Sequence, residues 1–334
     1  MKAIYFNGPG TPFDLRDAAI PEPGPGEVRI RTMASGICGT DVHYWRGDLE
    51  VASPWVFGHE PVGTIDALGP GVTRLCTGDR VGVSWVQEGC GRCHTCQSGK
   101  PDYCAGVQSW MELGGGHREF MIAKAAGCTL LPDGLDWPFA APLFCAGYTV
   151  MSGYRNARMR PGDRVAVAGL GGLGHIAIQI AKAHGHEVIG VTASENKRSE
   201  ILALGADEVL VIREHAGHEL AAMGGADIVL STTNNMRHNS ELLFGIRDEG
   251  KLISMAISPE PITVDPLHLL SHQLSIVGSQ QSSRSDLVEI LELAASGNVK
   301  PAVEIYAPEE INDVMTRLEA GKVRYRAVLD FGGR

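Results

Sequence analysis

Four cysteines in the first half of the chain are spaced closely enough to hold one metal ion. They follow the pattern Cys90-x2-Cys93-x2-Cys96-x7-Cys104. Thiolates at this spacing can enclose a tetrahedral Zn²⁺, whereas a ferredoxin-type iron–sulfur run has a shorter last step followed by proline. A site closed by four thiolates leaves no position for substrate, so its predicted role is structural. A zinc ribbon that binds nucleic acid is the alternative, but this loop carries few basic residues.

A glycine-rich motif near the middle of the chain could bind the phosphates of a dinucleotide. It fits G-x-G-x-x-G and lies between an apolar strand, 165–168, and a predicted helix. In this context the first glycine makes a tight turn, the second lets a pyrophosphate approach, and the third lets helix pack on strand. An ordinary turn of an α/β domain is the alternative. The motif comprises Gly169, Leu170, Gly171, Gly172, Leu173 and Gly174.

The strand after this motif ends where an NAD site usually carries an acid for the adenosine ribose. Thr192 occupies that position, and Ser194, Lys197 and Arg198 follow it. Hydroxyl groups and two cations suit the 2′-phosphate of NADP, which a carboxylate would repel. The sequence therefore predicts NADP(H) rather than NAD(H). Two observations keep the alternative open: Glu195 is an acid a few residues later, and the two cations could simply be solvated on a first helical turn.

Cys38, His59 and Cys145 form a second candidate metal-binding set, scattered along the chain. Two thiolates and one imidazole would leave the fourth position of a tetrahedral zinc ion open to substrate, as in catalytic sites. Spacing alone does not establish this set, because an isolated cysteine or histidine more often belongs to a core or a surface.

Two kinds of secondary structure must position these residues. Up to about residue 150 the sequence reads as short strands separated by Pro-Gly turns. From about Pro161 strands and helices alternate, which predicts a doubly wound parallel sheet. The C-terminal segment has no place in this alternation and is predicted to return to the first domain. The predicted strands of the alternating part are 165–168, 187–191, 208–212, 227–230, 252–255 and 275–277, and its helices are 175–184, 196–204, 238–246 and 284–295.

Length and composition exclude several classes of protein. The 334 residues suggest two domains. Thirty-nine acidic against 29 basic residues give a net charge of −10, so we predict no nucleic-acid partner. Glycines interrupt the longest apolar stretch, so no membrane span is expected. The chain has eight cysteines and no signal-peptide pattern, which predicts a reducing, cytoplasmic location.

Five motifs occur along the chain: Cys38-Gly-Thr40-Asp41-Val-His43, Gly58-His59-Glu60-Pro-Val-Gly63, the four-cysteine lobe, Ala141-Pro-Leu-Phe-Cys145-Ala-Gly-Tyr-Thr149 and the glycine motif. Together they resemble the zinc-dependent medium-chain alcohol dehydrogenase family, in the family's order and over essentially the whole chain. The resemblance implies an α/β fold with a GroES-like, β-rich catalytic domain (1–147 and 281–334) and a Rossmann cofactor domain with a doubly wound parallel sheet (148–280). The replaced acid at Thr192 is similar to the NADP-dependent cinnamyl-alcohol-dehydrogenase and aldehyde-reductase branch.

The resemblance also implies two zinc ions per chain. Cys38, His59 and Cys145 would hold a catalytic ion, with Glu60 close behind as a catalytic residue and transient ligand. The four-cysteine lobe would hold a structural ion. Asp41 would accept the other ring N–H of His59 and fix its tautomer.

The remaining implied roles concern protons, cofactor and substrate. Thr40 would pass the alcohol proton through the nicotinamide ribose to His43, which meets solvent. Thr149 would contact the nicotinamide and Arg284 the pyrophosphate. The resemblance also places three tryptophans near positions that line the substrate pocket in relatives: Trp45, Trp85 and Trp110. Ordinary core packing is the alternative role for them.

The predicted function is hydride transfer between NADP(H) and a primary alcohol or aldehyde, aromatic or of medium length, with zinc as Lewis acid. By analogy the chain forms a homo-oligomer, a dimer or a tetramer. A zinc-independent quinone or enoyl reductase of the same superfamily is the second interpretation, against which the Cys38, His59 and Cys145 set argues. A cofactor-binding regulator or a zinc-ribbon nucleic-acid binder is the third, against which the negative charge argues.

Overall fold

The computed structural model describes residues 1–332, which form two compact units. The first comprises residues 1–145 and 301–332, and the second comprises Ala146–Lys300. Residues 281–300 therefore lie in the second unit, whereas the sequence placed them in the first. The helix Arg284–Ala295 explains the difference, because it buries an apolar face there. Asp286 of this helix also accepts a buried hydrogen bond of 2.8 Å from Ser152 Oγ.

The strands are numbered along the chain. They are β1 Lys2–Phe6, β2 Asp14–Asp17, β3 Glu27–Ile37, β4 Trp55–Val56, β5 Pro61–Leu68, β6 Arg80–Val83, β7 Val86–Glu88, β8 Gln108–Ser109, β9 Phe120–Lys124, β10 Cys128–Leu130, β11 Arg164–Ala168, β12 Glu187–Thr192, β13 Glu208–Val211, β14 Ala226–Ser231, β15 Ile246–Ser254, β16 Ser275–Gly278, β17 Val303–Tyr306 and β18 Arg326–Asp330.

The helices are short, and none in residues 1–332 has both the length and the apolar composition needed to cross a bilayer. They are α1 Gly39–Arg46, α2 His94–Gln97, α3 Trp110–Leu113, α4 Trp137–Ala140, α5 Ala146–Ala157, α6 Gly174–Ala183, α7 Arg198–Ala203, α8 Ala216–Ala222, α9 Met236–Leu242, α10 Pro266–Ser271, α11 Arg284–Ala295 and α12 Ile311–Glu319.

The first unit is built around the long strand β3. Its main sheet has the order β10-β6-β5-β3-β18-β17, and β9 also pairs with β3. The strands that pair with β3 are antiparallel to it, and Ser35 and Ile37 face Pro61 of β5 and Ala327 of β18 respectively. A β-rich first domain completed by a C-terminal return was predicted, and β17 and β18 form that return.

The second unit contains the predicted doubly wound sheet. Its order is β13-β12-β11-β14-β15-β16, with parallel pairing throughout. The order reverses between β11 and β14, and ligands of such sheets bind at the carboxyl ends of the strands beside this point. One predicted helix was too long: 238–246 extends past the end of α9 at Leu242, because a 3-10 turn leads directly into β15 at Ile246.

Arg164 ties the amino ends of neighbouring strands together. It is the first residue of β11, and its buried guanidinium contacts Glu187 at 2.8 Å and Glu208 as well, the first residues of β12 and β13. It also donates a hydrogen bond of 3.0 Å to the carbonyl of Gly225. This network occupies the amino ends of the strands. The candidate cofactor site lies at their opposite, carboxyl ends.

Candidate active site

Cys38, His59, Glu60 and Cys145 come together in the first unit. Their ligand atoms all lie within 4.8 Å of one another, and the two sulfurs are 3.7 Å apart. Cys38 follows β3 and is the N-cap of α1. His59 and Glu60 lie immediately before β5, and Cys145 ends the 3-10 turn 141–144. Three separate segments of the chain therefore contribute one cluster.

The cluster has the donor chemistry of a zinc site. His59 Nε2 and Glu60 Oε2 are buried and make no hydrogen bond within residues 1–332. The hydrogen bond between the two thiols lowers the pKa of Cys38 and raises the pKa of Cys145. Burial alone would lower the pKa of His59, but Asp41 and Cys38 raise it. Metal ligands must be deprotonated, so a divalent cation bound here would displace any proton from these thiols and from the His59 nitrogen that it contacts.

Asp41 and Arg326 contact the ligand residues. Asp41 accepts a 2.8 Å hydrogen bond from the Cys38 backbone N–H, and its other oxygen lies 3.4 Å from His59 Nδ1. This contact leaves His59 Nε2 as the nitrogen available to a metal. Arg326, buried at the start of β18, donates a hydrogen bond to Glu60 Oε1. Burial raises the pKa of Glu60 to about 7, and the Arg326 charge opposes that shift.

Thr40 and His43 lie one turn apart on α1 and therefore share a face of the helix. Thr40 Oγ1 is 3.6 Å from Cys38 Sγ, at the edge of the metal cluster. His43 is half-buried, and its Nδ1 is hydrogen-bonded to Asp48 Oδ2 at 2.9 Å. The structure thus places Thr40 beside the cluster and His43 one turn further along α1, and the proton relay through them stays a prediction.

The three tryptophans assigned to a substrate pocket have different environments. Trp85 is half-buried, with its ring centroid 5.0 Å from that of His59. Trp110 is 1% exposed and belongs to the aromatic core of the first unit, although its ring centroid also lies 5.9 Å from that of His59. Trp45 packs on the same core and donates a 2.8 Å hydrogen bond to the Thr11 carbonyl. Trp85 is therefore the best placed of the three to face a substrate.

The four cysteines of the lobe also form a compact cluster. The sulfurs of Cys90, Cys93, Cys96 and Cys104 all lie within 4.8 Å of one another. Backbone N–H groups of Cys90 and Gly106 donate to Cys104 Sγ, each at 3.3 Å. A hydrogen bond with Thr95 lowers the pKa of Cys93 to about 6. Four sulfurs with such donors fit a closed, structural zinc site.

The three glycines of the dinucleotide motif have distinct environments in the second unit. Gly169 has a φ of +90°, a conformation that side chains rarely adopt. A Cβ at Gly174 would lie 1.8 Å from the Gly169 carbonyl oxygen, so α6 can approach β11 only with glycine there. A Cβ at Gly171 would meet no atom within 4 Å. These are the tight turn, the close packing and the open approach that the motif requires.

The residues after β12 make contacts that bear on cofactor choice. Thr192 is buried and accepts a 3.2 Å hydrogen bond from the Ser194 N–H. Lys197 Nζ donates to the Leu170 carbonyl at 3.0 Å. Arg198 pairs with Glu195 at 2.6 Å, which lowers the pKa of Glu195. Elsewhere in this unit, Thr149 is half-buried on α5, and Arg284 is the exposed first residue of α11.

Comparisons with known proteins agree with this geometry. The family model for an alcohol dehydrogenase GroES-like domain matches residues 24–133, and that for a zinc-binding dehydrogenase matches residues 172–296. An alcohol dehydrogenase of Geobacillus stearothermophilus is 36% identical, over 98% of this chain and 99% of the relative. An aldehyde reductase of Synechocystis sp. is 34% identical, over 98% and 97%. The structure of a cinnamyl alcohol dehydrogenase from Sorghum bicolor superposes with a TM-score of 0.91 at 29% identity, covering 99% and 98%.

The chain belongs to the medium-chain alcohol dehydrogenase family. As a member it is an oxidoreductase that uses a pyridine nucleotide and small alcohols or aldehydes. The predicted family and the predicted pair of folds, GroES-like and Rossmann, are confirmed.

Sequence reasoning missed two features of this alcohol dehydrogenase's site. Arg326 lies in none of the recognised motifs, so nothing in the sequence indicated its contact with Glu60. A signal did exist for Thr232, because it follows β14, the strand next to β11 at the reversal of strand order. Thr232 Oγ1 donates a 2.8 Å hydrogen bond to the Gly169 carbonyl.

Proposed function

We propose that this alcohol dehydrogenase is zinc-dependent and acts mainly as an NADP(H)-dependent aldehyde reductase. The observation that carries the proposal is the cluster of buried Cys38 and His59 with half-buried Cys145, a three-ligand donor set of the catalytic type. A zinc ion bound there supplies Lewis-acid chemistry at the substrate oxygen, and the nicotinamide supplies or accepts the hydride. A second zinc ion in the four-cysteine lobe would be structural.

The surrounding residues position ligands and move the proton. Asp41 holds the His59 ring so that Nε2 faces the cluster, and Arg326 holds the Glu60 carboxylate. Thr40 donates the proton to the substrate oxygen during reduction and takes it back during oxidation. His43, which is partly exposed, exchanges that proton with solvent.

The proposed cofactor contacts lie in the second unit. Thr149 contacts the nicotinamide, Arg284 the pyrophosphate, and the motif 169–174 the phosphates at the start of α6. Absence of a carboxylate at Thr192, together with Ser194 and Lys197, supports the 2′-phosphate of NADP. Arg198 would contribute chiefly through Nη2, because its Nε donates to Glu195 and its Nη1 to the Val209 carbonyl.

Substrates are proposed to be aromatic or medium-length apolar aldehydes and the corresponding primary alcohols. The half-buried ring of Trp85 beside His59 offers an apolar face to such molecules. Among the relatives, one is called an aldehyde reductase and another a cinnamyl alcohol dehydrogenase. Reduction is the proposed direction because the cellular NADP pool is mostly reduced. We place the enzyme in the cytoplasm, since six of its eight cysteines lie in the two candidate metal clusters and a reducing compartment keeps such thiols available to a metal.

The cofactor proposal predicts a preference that one substitution reverses. Zinc-loaded enzyme should reduce an aromatic and an aliphatic aldehyde with a higher kcat/KM for NADPH than for NADH. Thr192→Asp should lower kcat/KM for NADPH by about 10- to 100-fold through repulsion of the 2′-phosphate, while NADH is retained. Initial rates with both cofactors measure this. Thr192→Asn, of similar size and uncharged, is the control.

If the unaltered enzyme had a kcat/KM for NADH equal to or higher than that for NADPH, the 2′-phosphate site would be contradicted and the enzyme class would stand. Absence of any rate with either cofactor, in protein shown to contain zinc, would contradict the substrate class.

We also propose a homo-oligomer, a dimer or a tetramer. The edge strand β16 is open, and exposed apolar side chains lie on it and on the preceding helix α10: Ile276, Leu267 and Leu270, the last 75% exposed. Two copies can cover such a face symmetrically.

Analytical ultracentrifugation should therefore give a molecular mass at least twice the 35.6 kDa of one chain. Leu270→Lys should shift the protein toward monomer, and Leu202→Lys, an exposed leucine on α7, should not. A monomeric unaltered protein at micromolar concentration would refute the proposal.

A further inference from the structure

Side chains outside the glycine motif hold the backbone carbonyls of its first residues. His175, the second residue of α6, lies with its Nδ1 2.9 Å from the Gly171 carbonyl oxygen, which also accepts the His175 backbone N–H at 3.3 Å. Thr232 follows β14, and its hydroxyl lies 2.8 Å from the Gly169 carbonyl oxygen and 3.0 Å from that of Ala168. Between them along the loop, the Leu170 carbonyl accepts from Lys197 Nζ at 3.0 Å. Three successive peptide groups are thus anchored from three separate elements.

This anchoring determines where the amide hydrogens point. The peptide bonds of the loop are trans, and in a trans peptide the C=O and the following N–H point in opposite directions. Each anchored carbonyl therefore turns the N–H of Leu170, Gly171 or Gly172 away from its anchor. Within residues 1–332 these N–H groups donate no hydrogen bond. They remain available to a ligand.

His175 is unusual in its surroundings. It is 0% exposed, and its neighbours Gly174 and Ile176 are buried as well. An apolar side chain of similar size would fill such a position without a polar group to satisfy. The imidazole supplies what an apolar side chain lacks, a ring N–H directed at the Gly171 carbonyl.

We infer that His175 and Thr232, assisted by Lys197, are positioning residues that preorganise the loop's N–H groups for the cofactor pyrophosphate. The inference rests on the proposed binding of the pyrophosphate at this loop. Donors that are already oriented bind an anion without the cost of reorganising the backbone. The gain concerns the part of the cofactor that NADH and NADPH share, so both cofactors should benefit equally.

Paired substitutions at His175 separate positioning from packing. His175→Leu keeps the volume and removes the donor, whereas His175→Asn is smaller but retains an N–H near the position of Nδ1. If His175 positions the loop, His175→Leu should weaken the binding of NADH and NADPH by the same factor, about 3- to 10-fold. The affinities of His175→Asn should stay within about 2-fold of the unaltered enzyme's. Packing predicts the reverse order, because cores tolerate volume-conserving changes better. Titration of cofactor fluorescence measures both affinities.

Thr232 provides a second, independent pair. Thr232→Val should weaken both cofactors to a similar extent, while Thr232→Ser, which keeps the hydroxyl, should not. Zinc content should be unchanged in all four variants, since neither residue is among the candidate metal ligands.

Several outcomes would overturn the inference. Wild-type affinity in both His175→Leu and Thr232→Val, or weaker binding by Asn than by Leu at position 175, shows that the side chains do not position the loop. A loss confined to NADPH shows action at the 2′-phosphate instead. If the unaltered enzyme binds neither cofactor, the proposed function fails together with the inference.

Discussion

Replacing Cys38 with serine is expected to lower aldehyde reduction by a factor of about 10³ or more, since loss of the Lewis acid removes several kcal/mol of transition-state stabilisation. The variant should contain one zinc ion fewer per chain than the unaltered enzyme, because serine is a poor substitute for a thiolate ligand. Binding of NADPH should be unchanged, because the proposed cofactor site lies in the second unit. Metal analysis, cofactor titration and initial rates measure the three quantities.

Cys76→Ser is the matched control for this experiment. Cys76 is exposed and lies outside both cysteine clusters, so the same chemical change there should leave activity and zinc content intact. If Cys38→Ser kept its zinc content and reduced aldehydes within tenfold of the unaltered rate, the assignment of the catalytic metal site would be wrong. Loss of activity with zinc content retained would point to a role for Cys38 other than ligation.

Arg326→Met is expected to lower the free energy of unfolding of the first unit by about 3–5 kcal/mol. Arg326 and Glu60 are both buried, and the guanidinium donates directly to the Glu60 carboxylate. Removing the cation leaves a buried carboxylate without its partner, which costs more than the pair itself contributes. The chain's five tryptophans all lie between residues 45 and 137, within the first unit, so urea unfolding followed by tryptophan fluorescence reports on that unit.

Two further variants sharpen this test. Arg237→Met makes the same change at an exposed pair with Glu241, where the arginine side chain is 79% exposed, and should cost less than about 0.5 kcal/mol. Adding Glu60→Gln to Arg326→Met should recover at least about 1 kcal/mol, because the stranded charge is removed. A cost below about 1 kcal/mol for Arg326→Met alone would mean that the buried pair does not stabilise the fold.

Much of the chemistry of this protein follows from local sequence. The spacing of Cys90, Cys93, Cys96 and Cys104 predicts one cluster, since a short loop cannot carry the thiols far apart. The glycine motif predicts its own turn, because only glycine tolerates the conformation of Gly169 and the contact at Gly174. The alternation of apolar strands and helices after residue 161 predicts the parallel sheet. These signals act over a few residues, where backbone and side-chain geometry are directly encoded.

Tertiary structure alone decided the rest, because register between distant strands is not encoded locally. Glu60 and Arg326 meet because β5 and β18 flank the same end of β3, where Pro61 faces Ser35 and Ala327 faces Ile37. The place of α11 in the second unit likewise depends on the face that it buries against its neighbours. Long-range packing settled each of these contacts, and the spacing of residue types could not.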